Sequence, residues 1–212
     1  MDSRRILALI AETGAMVTNT HVVYTSGQHG TTYLNKDTIY VHVKLVHSLC
    51  EDMAGHFGAG QVDAVLGPAT GGIVLAHLTA SSLQEFTPDR EILALYADKT
   101  EDGGFALRRG YDKLAAGKRI LVVEDVLTTG GSIRKVIEVA RRAGGHVIGV
   151  STLCNRGSVT AESLDVPELR ALVNLSWQTW NRKDCPLCRR DVPINTDVGK
   201  GRQFLAQLAD DD

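Results

Sequence analysis

Two adjacent acids, Glu124 and Asp125, follow the apolar run Arg119-Ile-Leu-Val-Val123 and precede Val126-Leu127-Thr128-Thr129-Gly130-Gly131-Ser132. In that order the residues suit a ligand with two kinds of polar group. Thr128, Thr129 and Ser132 offer hydroxyl donors, and Gly130 and Gly131 let the backbone close around an anion. If a helix begins there, its unpaired N–H groups and positive dipole end add to the binding, and no lysine is needed. Carboxylates facing a phosphate would repel it. Glu124 and Asp125 are therefore expected to accept hydrogen bonds from vicinal hydroxyls, as on a ribose carrying a 5′-phosphate, and to help hold a divalent cation, with Asp125 the candidate ligand. A strand-to-helix turn with a Ser/Thr cap would explain the hydroxyls but neither the acids nor the double glycine. The run lacks the lysine of a GxxxxGK[ST] loop, and no GxGxxG follows a predicted strand, which removes nucleoside triphosphate and nicotinamide binding.

A second glycine-rich segment, Gly67-Pro68-Ala69-Thr70-Gly71-Gly72, ends the apolar run Val62–Leu66 and is either another anion loop or a tight packing turn. Two such loops in one chain make a stronger case for a substrate with more than one anionic group than either does alone. Between Tyr96 and Arg109 the apolar pattern breaks into a charged, glycine-containing run, an exposed mobile loop or a solvated hairpin, carrying Lys99, Arg108 and Arg109.

The elements that must position these residues follow from periodicity. Short β-branched runs at Val62–Leu66, Glu91–Tyr96, Arg119–Val123 and His146–Leu153 alternate with amphipathic stretches near Gly72–Leu83 and Ser132–Arg142. That alternation predicts βαβ units, an α/β domain with a central, mostly parallel sheet flanked by helices. Ile133, Val136, Ile137 and Ala140 recur at helical spacing, with Arg134, Lys135, Glu138 and Arg141 on the other side. Val46, Leu49, Met53 and Phe57 predict a further helix, and Val22–Thr25 and Thr31–Leu34 read as strands around a turn at Ser26–Gly30. A late strand is expected at Leu172–Trp177, with Trp177 and Trp180 as packing or subunit-contact residues.

The segment Val122–Ser132 resembles the phosphoribosyl-pyrophosphate motif of the type I phosphoribosyltransferases at every informative position, and over about residues 20 to 160 the chain is most similar to orotate phosphoribosyltransferases. The resemblance implies that Glu124, Asp125, Val126, Leu127, Thr128, Thr129, Gly130, Gly131 and Ser132 bind the ribose 5-phosphate of phosphoribosyl pyrophosphate. Pro68, Ala69, Thr70 and Gly71 would hold its pyrophosphate, and Lys99, with Glu124 and Asp125, would serve catalysis. It further implies Mg²⁺ carried with the substrate, a lid at 96–109, a homodimer sharing lids, and one domain over 1–212. That domain would comprise a hood, approximately 1–40 plus part of 160–212, and a core of approximately 41–158.

Two further stretches carry the likeness. Tyr24–Asn35 is similar to the family's hood, placing Thr25 and Tyr33 at the base, and Leu153–Gly157 brings in Arg156. A guanidinium there suits a planar anionic base such as orotate. The chain departs from the pattern at Thr25, where a lysine is usual, and at Asp98-Lys99, where an Arg-Lys pair is usual. Orotate, another nucleobase, and a non-catalytic regulator binding the same donor remain open as readings.

With 23 Lys+Arg against 25 Asp+Glu, the net charge of −2 offers no field for nucleic acid or an anionic membrane. No apolar run reaches membrane-helix length, and the start has no leader pattern, so a cytoplasmic protein is expected. Four cysteines fit a reduced compartment. Cys185-Pro-Leu-Cys188 is either a turn with unliganded thiols or half of a metal site needing two more ligands from Cys154, a histidine or a second subunit. His42 and His47, five apart on one predicted helix, do not converge on a metal. Gly199-Lys200-Gly201 reads as a turn and Asp210–Asp212 as a solvated end.

Overall fold

The computed structural model describes residues 1–58 and 60–210, so the expectation of a solvated end at Asp211 and Asp212 lies outside the described residues. In chain order these form α1 (Ser3–Glu12), the two-residue strands β1 (Met16–Val17), β2 (Val22–Val23), β3 (His29–Gly30) and β4 (Tyr33–Leu34), then α2 (Asp37–Tyr40) and α3 (Val43–Gly55). The middle of the chain gives β5 (Ala64–Pro68), α4 (Gly71–Glu85), β6 (Leu93–Lys99), β7 (Phe105–Ala106), α5 (Tyr111–Ala115), β8 (Arg119–Leu127), α6 (Gly131–Arg142) and β9 (His146–Asn155). Last come α7 (Ala161–Leu164), β10 (Leu169–Asn174), β11 (Thr179–Trp180) and α8 (Gly201–Asp210). The chain divides into two compact units, Met1–Leu7 with His42–Leu175 and Ala8–Val41 with Ser176–Asp212.

The larger unit is built on a six-stranded sheet in the order β10-β9-β8-β5-β6-β7. All neighbours are parallel except β6 and β7. Ile120, Leu121, Val122 and Val123 are fully buried, as a central strand covered on both faces requires. Strand alternation sends Ile120 and Val122 to one face, into a core with Ala64, Leu66 and Leu95 and the apolar stripe of α6, namely Ile133, Val136, Ile137 and Ala140. Each such aliphatic side chain contributes roughly 1.5–3 kcal/mol on burial. Helices α3 and α4 pack on each other and on the sheet, burying Val46, Leu49 and Met53. At the amino-terminal ends of β5 and β8, Asp63 receives the Arg119 Nε and Nη2 at 2.8 Å each and the Arg90 Nη1 at 2.5 Å. Among the described residues no helix is long and apolar enough to cross a membrane.

Several elements differ from expectation. Strand β8 continues past Val123 to Leu127 because β9 runs beside it, with Glu124 opposite Thr152 and Leu127 opposite Asn155. The acids thus belong to the strand. Of the two readings of the segment between Tyr96 and Arg109, a mobile loop or a solvated hairpin, the structure shows an antiparallel hairpin, Asp98 opposite Ala106 and Lys99 opposite Phe105, closed by the turn from Thr100 to Gly104. The late strand is Leu169–Asn174, held by β9 from Val150 onward, so Trp177 lies beyond it and Trp180 sits in β11. His42 precedes α3 as its N-cap residue, and His47 pairs with Glu51 at 3.6 Å.

In the smaller unit β3 forms the centre of a three-stranded sheet between β11 and β2. The predicted partner of Val22–Val23 was Thr31–Leu34. Instead Val22 faces Gly30 and Val23 faces His29, and Tyr33–Leu34 pairs with β1. The turn tightens to Tyr24–Gln28, Tyr24 N–H donating to the Gln28 carbonyl at 2.8 Å. The strand re-forms early because His29 and Gly30 are both buried, Gly30 beneath the Tyr24 ring, where a Cβ would meet the hydroxyl at 2.4 Å.

Candidate active site

From β5 the chain moves to β6 on one side, and from β8 through β9 to β10 on the other. Connections leaving two adjacent parallel strands in opposite directions open a crevice at the carboxyl ends, where ligands of such sheets bind. Both glycine-rich segments lie there, since β5 and β8 are neighbours paired at Leu66 and Val122.

The first turn joins β5 to α4. A Cβ on Gly67 would fall 2.1 Å from the Gly72 carbonyl oxygen, so the strand end and helix start touch at a distance only glycine allows. The Ala69 N–H donates to the Ala97 carbonyl at 2.9 Å and fastens the turn to β6, and the Ala69–Thr70 peptide is cis. Pro68 is buried, Ala69 and Gly71 are half-buried and Thr70 is exposed.

Along β8 Glu124 and Asp125 are both buried, 8% and 3% exposed. Asp125 N–H donates to Glu124 Oε1 at 3.0 Å and Val126 N–H to Asp125 Oδ1 at 2.7 Å. From β9 the Thr152 hydroxyl donates to the Asp125 carbonyl at 3.2 Å. Beyond Leu127, Thr128, Thr129 and Ser132 are exposed, and Gly130, at φ 73°, is the N-cap of α6. The helix begins at Gly131, one residue before the predicted Ser132, and presents its first N–H groups beside these hydroxyls.

The end of β9 is locked to that turn. Arg156 and Gly157 N–H both donate to the Leu127 carbonyl, at 2.8 and 3.2 Å, and Arg156 Nη2 donates to Thr128 Oγ1 at 3.4 Å. A Cβ on Gly157 would lie 1.3 Å from the Thr128 carbonyl oxygen. Asn155 is a positioning residue that the motif reading passed over. Buried, it donates to the Val159 carbonyl at 2.8 Å and accepts the Val159 N–H at 3.1 Å, clamping the turn after Arg156. An asparagine at a strand end before Arg-Gly-Ser was the available signal.

Lys99 is the exposed last residue of β6. Arg109 is paired with Asp98 and lies over the Tyr96 ring, 5.5 Å from its centroid, and the Asp98 carboxylate raises its pKa above the ordinary arginine value. Lys135 of α6 donates to the Gly103 carbonyl at 2.7 Å. Thr25 and Tyr33 belong to the smaller unit, Thr25 exposed in the turn after β2 and Tyr33 half-buried in β4. The larger unit thus brings together residues 67–72, 124–132 and 156. The Cys50 and Cys154 thiols are pushed up to about 12 by burial, which removes both as nucleophiles at neutral pH.

A family model described as the phosphoribosyl transferase domain matches residues 39–182. The orotate phosphoribosyltransferase of Caldanaerobacter subterraneus subsp. tengcongensis is 35% identical over 194 residues, 92% of this chain and 96% of the relative. That of Desulforamulus reducens is 36% identical over 193 residues, covering 91% and 95%. Among solved structures, the orotate phosphoribosyltransferase from Aeropyrum pernix aligns with a TM-score of 0.62 at 26% identity, covering 80% of this chain and 93% of that one.

Proposed function

The chain belongs to the phosphoribosyl transferase domain family, and we propose that it transfers the 5-phosphoribosyl group from phosphoribosyl pyrophosphate to a ring nitrogen of orotate, releasing pyrophosphate. The observation that carries this reading is the pair of glycine-rich turns leaving adjacent parallel strands, with two buried carboxylates on the second strand. The names of the relatives supply the acceptor.

In this reading the hydroxyls of Thr128, Thr129 and Ser132, with the N–H groups at Gly130, Gly131 and the start of α6, hold the 5-phosphate, while Val126 and Leu127 carry the backbone into that turn. Glu124 and Asp125 accept hydrogen bonds from the ribose hydroxyls. The turn Pro68-Ala69-Thr70-Gly71 takes the pyrophosphate, and Lys99 neutralises charge as it leaves. Arg156 presents its guanidinium to the base, and the family resemblance alone adds Thr25 and Tyr33 as base-binding residues.

No side chain is needed as a nucleophile. Catalysis comes from holding the two reactants in line, placing cations against developing charge, and excluding water. Glu124 and Asp125 supply hard oxygen donors of the kind that hold Mg²⁺ together with substrate phosphates. A bound Mg²⁺ there would stabilise negative charge on the departing pyrophosphate. The proposal extends to a cytoplasmic homodimer.

The test is pyrophosphate release from phosphoribosyl pyrophosphate with Mg²⁺ across a panel of bases including orotate. Orotate-dependent release is expected. Donor binding without turnover of any base would leave a regulator, and failure to bind the donor would remove the assignment.

A further inference from the structure

The smaller unit holds a cluster that plays no part in the reaction above. The ring nitrogens of His21 and His29 and the sulfurs of Cys185 and Cys188 all lie within 4.8 Å of one another. His21 Nε2 is 2.8 Å from His29 Nδ1, 3.7 Å from Cys185 Sγ and 3.8 Å from Cys188 Sγ, and Cys188 Sγ is 3.4 Å from His29 Nδ1. A tetrahedral zinc ion, with bonds of about 2.3 Å to sulfur and about 2.0–2.1 Å to nitrogen, sets its donor atoms roughly 3.3–3.8 Å apart. The nitrogen–sulfur separations already match, and the imidazole pair need open by only about 0.5 Å to fit that geometry.

We infer that His21, His29, Cys185 and Cys188 form a structural zinc site that ties the hairpin β2–β3 to the segment after β11. The donor set is two soft sulfurs and two imidazoles, the composition zinc takes in closed four-coordinate sites. The cysteines stand in the Cys-x-x-Cys spacing that lets one tight turn offer both sulfurs, and the 3-10 turn Cys188–Arg190 closes that loop. A binuclear iron–sulfur centre would separate the imidazole-bearing iron from the thiolate-bearing one. Here Cys188 Sγ is as close to His29 as a shared ion requires.

The surroundings orient the ligands. His21 Nδ1 lies 2.8 Å from the Val192 carbonyl, and a ring N–H donated there leaves the Nε2 lone pair for the metal, as carbonyl partners do in such sites. Without a cation the contact between the rings uses a single lone pair, and both sulfurs are left with weak partners. One ion satisfies all four donors.

Closing a loop between residues 21–29 and 185–188 is where a metal link stabilises most, because it removes a long-range entropy cost from two short segments with few helices of their own. The inference does not depend on the reaction proposed above.

The full chain, purified without chelators and kept in excess Mg²⁺ so that oxygen-donor sites are filled, should retain one zinc per chain by metal analysis. Replacing zinc with Co²⁺ should give the visible bands of tetrahedral cobalt and a near-ultraviolet thiolate charge-transfer band. The variant Cys185→Ser with Cys188→Ser should lose both the zinc and that band. If the variant does not fold, the cobalt spectrum of the unaltered chain still decides. Absence of stoichiometric zinc together with no tetrahedral cobalt spectrum overturns the site, as does octahedral cobalt, a charge-transfer band that survives in the double variant, or iron as the retained metal.

Discussion

Backbone N–H groups fasten one oxygen of each acid on β8, Glu124 Oε1 from Asp125 and Asp125 Oδ1 from Val126. Amide side chains keep an oxygen for those same donors, so Glu124→Gln with Asp125→Asn removes charge and leaves acceptors for those two N–H groups. The double variant is expected to lose about 100-fold or more in kcat/KM, the scale of a deleted electrostatic contact at a transition state. Its circular dichroism and melting midpoint should stay close to those of the parent. Unchanged kinetics would contradict the ribose assignment. Gly157 makes a different argument, from space alone. It is exposed, where an added methyl is usually harmless, yet its Cβ would sit 1.3 Å from the Thr128 carbonyl oxygen. Gly157→Ala must therefore push the phosphate turn or the Arg156 turn aside, and a displacement of about 1 Å can cost on the order of 100-fold. Calorimetric titration with phosphoribosyl pyrophosphate should show the loss as weakened donor binding, and an unaltered affinity would mean that the Thr128 turn tolerates displacement.

The strands that carry the site are registered at their opposite end by Asp63, which joins β5 to β8 through Arg119 and reaches Arg90. Hydrogen bonding from the Arg119 guanidinium holds the Asp63 carboxyl well below the usual carboxylate range. A group with a depressed folded pKa stabilises the native state above its unfolded value, near 3.9, and that stability is lost as pH falls toward the folded value. Melting midpoints of the parent should thus drop steeply between about pH 5 and pH 2, whereas Asp63→Asn should start lower at neutral pH and fall less steeply. Parallel slopes would remove Asp63 from the account. Elements of this kind were legible wherever apolar spacing recorded burial: Ile120 to Val123 on β8 and Ile133, Val136 and Ile137 on α6 stand where periodicity put them. The end of β8 was not, because Glu124 and Asp125 hold strand geometry through β9 rather than through hydrophobicity. Two-residue strands such as β3 have no period to read, so the pairing of Val23 with His29 could come only from the assembled sheet. The cysteine pair was visible as half a site. Its other half lies more than 150 residues away in His21 and His29, with nothing in their own spacing to announce a metal.

At the scale of the whole chain, the donor sets proposed for the two kinds of ion lie in different units. Hard carboxylate oxygens at Glu124 and Asp125 lie in the larger unit, and soft sulfurs with imidazoles lie in the smaller. Donor chemistry keeps them apart, since Mg²⁺ selects oxygen and zinc selects thiolate and imidazole. Hydrogen exchange read along the chain should separate the two. A zinc-selective chelator in excess Mg²⁺ removes the link between residues 21–29 and 185–188, and faster exchange is expected in the segments 8–41 and 176–210, where His21 and the Ile194 region are bridged and Asn195 N–H donates to the His21 carbonyl at 2.8 Å. The amides of β8 and β9 should keep their protection, because their ladder and the α6 core contain none of the four ligands. Phosphoribosyl pyrophosphate with Mg²⁺ should do the converse, slowing exchange at 67–72 and 128–133 by ligating their N–H groups. Chelation that loosened β8 and β9 as much as β2 and β3 would show that the metal supports the catalytic sheet as well, and the division of labour between the two units would have to be abandoned.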